Sequence, residues 1–146
     1  MDVHLTGSAL VEAADAEVLQ SPTDLIRLLV TDRGDVQVAE MVSTDRVGPP
    51  LHTQRWHEVQ YVIDGEVEFW LDGAWRQVGA GAVQLLPAGT PHTVRIPSGE
   101  ARILLVTMGA PFDAFIREMV ALDNRPNATG EQKGAAATRH GVEPAP

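Results

Sequence analysis

The sequence predicts an all-β barrel of two packed sheets, closed by one short C-terminal helix. Three observations carry this expectation. Turn signals recur at nearly regular spacing, short runs of β-forming residues lie between them, and a single stretch of helical period follows the last run. Thirteen glycines and ten prolines in 146 residues supply the turns, and 44% hydrophobic against 21% charged residues is the balance of a folded domain with a real interior.

The elements follow in order. Turns fall at Asp32-Arg33-Gly34-Asp35, Asp64-Gly65, Asp72-Gly73, Gly79-Ala80-Gly81, Pro87-Ala88-Gly89 and Pro97-Ser98-Gly99. They separate runs from Val36 to Val42, Val59 to Ile63, Val67 to Leu71, Val83 to Leu86, Thr93 to Ile96 and Ile103 to Thr107, so Leu25 to Met108 is expected to form the barrel. Asp64-Gly65 and Asp72-Gly73 are hairpin dipeptides, which predicts that the strand holding Val67, Phe69 and Leu71 pairs with its sequence neighbours on both sides. Phe112, Phe115, Ile116, Met119 and Val120 then form an apolar helical stripe, with Pro111 suited to the first turn and Asp113 near the positive end of the dipole. Residues 1–123 read as one domain. Residues 124–146 have no aromatic residue, Leu, Ile or Met and read as a flexible tail.

Charge and composition exclude several classes. Eleven basic against twenty acidic residues, a net charge of −9, disfavour nucleic acid as a partner. The absence of cysteine removes disulfides, thiol nucleophiles and thiolate-ligated metals, so any metal must be held by His, carboxylate or amide oxygen. The first ten residues lack the basic start and apolar run of a signal peptide. The apolar stretches Leu25 to Val30 and Ile103 to Val106 fall far below the ~20 residues that cross a bilayer. The expectation is a cytoplasmic protein without membrane contact.

The chemistry concentrates in the middle of the chain. On an extended strand His52, Gln54 and Glu58 share a face, and His57 takes the opposite one unless a bulge shifts the register. His92 opens a later strand that a closed sheet can bring opposite them. Two histidines and one carboxylate with open positions form the ligand set of non-haem iron(II) oxygenases.

These residues carry a resemblance to the cupin family. Its first motif has two histidines one residue apart, a glutamate four residues on and a glycine seven after that; His52-Thr53-Gln54, Glu58 and Gly65 keep the spacing, with Gln54 in place of the second histidine. Its second motif is reproduced by Gly81, Pro87-Ala88-Gly89 and His92. Arg46 and Ile96 stand where the family has glycine and asparagine. The motifs span about residues 46 to 96, and the match extends to roughly residues 30 to 121. Pro49-Pro50-Leu51-His52, the run from Tyr61 to Glu66 and the segment from Pro111 to Met119 resemble small single-domain cupins similar to bacterial quercetinases.

The resemblance implies a jelly-roll (double-stranded β-helix) barrel and one divalent metal ion, Fe, Mn, Ni, Co or Zn. The implied ligands are His52, Gln54, Glu58 and His92, with Glu58 also the catalytic acid–base group. A carboxamide at Gln54 is a poorer donor than imidazole, which weakens the site relative to the family's usual set. Val62, Val94 and Ile96 share the ligands' parity and, with Phe69, Phe112 and Phe115, are the expected pocket walls for a small, largely apolar or aromatic substrate. Three functions follow: a dioxygenase-like metal enzyme; a redox-neutral cyclase or isomerase of polyketide or sugar type, with Glu58 or His57 moving the proton; and a non-catalytic small-molecule-binding barrel. The resemblance also implies a homodimer, with the segment from Ala9 to Val18 available to pair with a partner's sheet edge.

Overall fold

The computed structural model describes residues 2–146. A single 3₁₀ turn at Ala13–Asp15 precedes three strands, β1 (Glu17–Gln20), β2 (Asp24–Val30) and β3 (Val36–Ser43). The motif region follows as β4 (His52–Gln54), β5 (His57–Asp64), β6 (Val67–Leu71), β7 (Ala74–Val78), β8 (Val83–Leu86), β9 (Thr93–Arg95) and β10 (Ala101–Met108). The chain ends in α1 (Phe112–Asp123), α2 (Gly130–Arg139) and β11 (Val142–Pro144).

The strands form a six-stranded sheet in the order β1-β2-β3-β10-β5-β8, a three-stranded sheet β7-β6-β9 and a pair β11-β4. Every ladder is antiparallel. The expected two-sheet barrel is present in its layers but is not closed by hydrogen bonds. The core lies between the layers, where Ile26, Leu28, Ala39, Val62, Ile103 and Leu105 of the large sheet meet Val67 and Phe69 of the small one, with Ile96, Trp56, Phe112 and Val120 completing it. Alternation does this work: along β10 every odd-numbered residue is buried and every even one is at least partly exposed, the signature of a strand with one wet face.

Two expectations about the hairpins separate. Asp72 and Gly73 both take positive φ (53° and 84°) between the paired Leu71 and Ala74, so the two-residue turn forms as the dipeptide predicts. Asp64-Gly65 does not make a hairpin. Both edges of β5 are already occupied, by β10 and β8, so the chain passes instead to the second sheet, where β6 pairs with β7 and β9. Gly65 has φ 87°, and a Cβ there would sit 2.4 Å from the Glu100 carbonyl oxygen, so glycine is required for the crossing as well as the turn.

The C-terminal segment holds more secondary structure than its composition led us to expect. There are two helices where one was expected, and residues 124–146 contain α2 and β11. Thr129 caps α2 in a reciprocal box with Gln132, Ala136 is fully buried, and Val142 enters the core. Small residues suffice because α2 lies close against α1, and β11 adds backbone hydrogen bonds along β4 that do not depend on side-chain size. Of the segment from Ala9 to Val18, Glu17 and Val18 enter β1, which pairs with β2 of the same chain and forms one edge of the large sheet.

Candidate metal and substrate site

The first motif folds as two short strands with one parity running through both. Gln54, Trp56, Glu58, Gln60 and Val62 are all buried, while His57, Val59 and Tyr61 face outward. The register expected from sequence therefore holds and no bulge brings His57 inward. Its Nδ1 accepts the Ala88 N–H at 2.9 Å, which ties down the loop of the second motif.

That loop sets His92 against His52. The two residues exchange backbone hydrogen bonds of 3.2 and 3.0 Å, Gly89 N–H donates to the Gln54 carbonyl at 2.9 Å, and the imidazole centroids stand 4.4 Å apart. Each ring has its Nδ1 on a backbone carbonyl at 2.8 Å, His52 on Pro50 and His92 on Thr90. A carbonyl only accepts, so both Nδ1 atoms carry the proton and both Nε2 atoms keep their lone pair. Burial pushes both imidazoles below their ordinary pKa, and for His52 the neighbouring His92 adds to the effect, against weaker opposing pulls from the Pro50 carbonyl and Glu58. The pair is neutral at pH 7, the state in which imidazole ligates a metal.

Glu58 is 4% exposed. Burial raises its carboxyl pKa, and hydrogen bonding from Gln60 and Trp56 pulls the other way. Trp56 Nε1 donates to Oε1 at 3.3 Å and Gln60 Nε2 to Oε2. Gln84 Nε2 donates in turn to Gln60 Oε1 at 3.1 Å. Gln54, beside the histidines, has its Nε2 buried without a hydrogen-bond partner of proper geometry.

The expected residues are thus brought together unequally. His52 and His92 are paired, Gln54 shares their strand ladder, and Glu58 lies on the same inner face but is engaged by Trp56 and Gln60. Among the described residues no three His, Asp or Glu side chains form a ready-made metal cluster. The donors nonetheless fit a divalent cation. Two oriented imidazoles offer bare Nε2 atoms, each Glu58 oxygen retains a second lone pair, and the orphaned Gln54 amide marks a place where a polar partner belongs.

The expected pocket walls divide as well. Val62, Phe69, Ile96 and Phe112 are core residues, and Val94 and Phe115 pack against that core. Phe112 and Phe115 touch Trp56, with centroids 6.1 and 5.6 Å away, so they support the indole that holds Glu58. Cavities of 340 and 550 Å³ lie along the N-terminal segment and include none of these residues. Sequence reasoning passed over Trp56, Gln60 and Gln84. The parity that singled out Gln54 and Glu58 contains the first two, and Gln84 sits directly opposite Gln60 in the β5–β8 register.

The sequence profile of the cupin domain matches residues 40–108. A 60-residue stretch is 40% identical to quercetin 2,3-dioxygenase of Bacillus subtilis (strain 168), covering 40% of this chain and only 18% of that protein's length. The fold is similar to that of KdgF from Halomonas sp., with a TM-score of 0.65 at 14% identity over 74% of this chain and 99% of that one. It is also similar to the polyketide cyclase RemF from Streptomyces resistomycificus, with a TM-score of 0.60 at 21% identity over 70% of this chain and 80% of that one. Among the described residues no helix is long and apolar enough to cross a membrane.

Proposed function

Because residues 40–108 match the profile of the cupin domain, we propose that this protein is a metal-dependent enzyme acting on a small, largely apolar or aromatic molecule, with dioxygenase-like chemistry. The observation that carries the reading is the pair of neutral imidazoles, each anchored through Nδ1 to a backbone carbonyl and each with Nε2 uncommitted. His52 and His92 would hold the ion, with Glu58 the carboxylate ligand and Gln54 contributing its amide oxygen. A divalent ion bound there would supply Lewis acidity and an anchor for an ionised enol or phenol.

The chain's own residues do the rest. Where it does not stay bound to the ion, Glu58, buried and with a raised pKa, would take a proton from an enolic or phenolic hydroxyl. Gln54 Nε2 offers a donor to a substrate oxygen, which relieves its unpaired burial. Val94 lies on the parity of His92 and offers an apolar contact that keeps water from the reacting centre. The local likeness to a quercetin dioxygenase over the motif region supports this reading over a non-catalytic binding barrel.

A redox-neutral cyclase or isomerase is the second reading, supported by the fold shared with a polyketide cyclase. In it the proton is moved by Glu58, since His57 faces away and is occupied by the Ala88 N–H. Elemental analysis of protein purified without chelator or added metal, followed by oxygen uptake with flavonols and other enolisable aromatics, tests both. Iron, manganese, cobalt or nickel with uptake supports the dioxygenase; zinc with substrate turnover and no uptake supports the alternative; no metal and no turnover removes both.

A further inference from the structure

We propose that Gln60 and Gln84 are positioning residues for Glu58, forming a hydrogen-bonded file that sets which way its carboxylate faces. The inference deepens the reading of Glu58 as a working carboxylate and rests on it. Gln84 and Gln60 stand directly opposite each other across β8 and β5, both turned inward and 7% and 6% exposed. A carboxamide has one accepting and one donating end. Once Gln60 Oε1 takes the hydrogen bond from Gln84 Nε2, its own Nε2 is committed to the other side, where it donates to Glu58 Oε2. Turning the Gln60 amide over would set oxygen against carboxylate and nitrogen against nitrogen.

The other Glu58 oxygen is held by a donor that cannot reverse at all, the indole N–H of Trp56, itself 1% exposed and wedged by Phe112 and Phe115. Both carboxylate oxygens therefore receive fixed donors, and Gln84 acts on the orientation without itself bonding to Glu58. Apolar side chains at positions 60 and 84 would fill a barrel interior at lower desolvation cost than two carboxamides. Their presence beside the one buried carboxylate of this face is accounted for by the orientation they impose, since partners of this kind tune the ligands they touch.

Gln60→Met and Gln84→Met, which keep chain length and remove the amide, test this beside Glu58→Gln. In the metal-free protein the side-chain amide resonances of Gln60 are expected to be protected from solvent exchange, and in Gln84→Met they should shift and lose protection. Cobalt(II) titration should show affinity weakened about tenfold in Gln60→Met and by a smaller factor in Gln84→Met, with melting temperatures close to the parent. Unchanged Gln60 resonances in Gln84→Met would overturn the proposal. So would parental cobalt affinity in both methionine variants when Glu58→Gln loses tenfold or more. If Glu58→Gln keeps full affinity, the metal role of Glu58 is what fails, and the file is then decided by the amide resonances alone. Should Gln84→Met not fold, Gln84→Leu, which likewise cannot donate to Gln60, takes its place under the same two readouts.

Discussion

The site is organised around which protons are held and which are not. His52 and His92 are pushed by burial toward the neutral form, so in the metal-free protein they bind fewer protons folded than unfolded as the pH drops below about 6.5. Stability is lost across that window. Glu58 works in the opposite sense, since its raised pKa lets the folded form take a proton first as the pH falls. The histidine contribution is isolated by comparison: His92→Gln is expected to flatten the fall in unfolding free energy from pH 6.5 to pH 5 by up to about 1.4 kcal/mol per pH unit, read from urea unfolding at each pH. Gln54→His should tighten cobalt(II) binding by replacing an amide with an imidazole donor, whereas His57→Ala should leave the affinity within about twofold, as its ring nitrogen serves only the Ala88 N–H. Parity made His52, Gln54 and Glu58 legible in the sequence, because alternation needs no long-range information. The partners of Glu58 were not legible: Gln84 reaches Gln60 only through pairing of strands 24 residues apart.

At the level of elements, the strand carrying His52 and Gln54 is only three residues long and depends on what lies along its edges. One edge bonds to the loop around His92 and the other to β11, where Val142 faces Gln54 and Pro144 faces His52. Removing residues after Asn124 strips Val142 and Ala136 from the interior and leaves that edge unpaired. Truncation should therefore lower the melting temperature well beyond a few degrees and weaken metal binding with it. Val142→Ala alone is expected to cost about 1–2 kcal/mol, a drop of roughly 2–8 °C in a calorimetric scan. The six strands from β3 to β10 that composition marked were found to within a few residues, because β-branched runs between glycine turns report local structure directly. The C-terminal elements were invisible for the converse reason. A helix of Gly, Ala and Gln and a strand ending in proline have no hydrophobic period, and they are ordered by a cap, two buried small side chains and backbone pairing.

Over the whole molecule, the outer face of the large sheet is apolar where β3, β10, β5 and β8 meet. Val38, Val106, Val59 and Leu85 form one row across the four strands, and Leu104, Tyr61 and Val83 lie beside it. Leu85, Val83 and Tyr61 remain 63%, 64% and 42% exposed. A face without like charges lets two copies of a chain of net charge −9 meet at least electrostatic cost, and these rows hold none beyond Glu40 at one end, which is paired with Arg27 and Arg102. We propose a homodimer through this face. Light scattering should give twice the chain mass for the parent and the single mass for Leu85→Arg, with the metal content of each chain unchanged.

The central claim is that the two anchored imidazoles are half of a metal site. Isothermal titration of cobalt(II) into chelator-stripped protein tests it most directly, run in parallel on the parent, His52→Ala and His92→Ala. The account predicts one ion per chain in the parent and no measurable binding in either variant, with all three folded. Failure of the parent to bind, or parental affinity in both alanine variants, would contradict it.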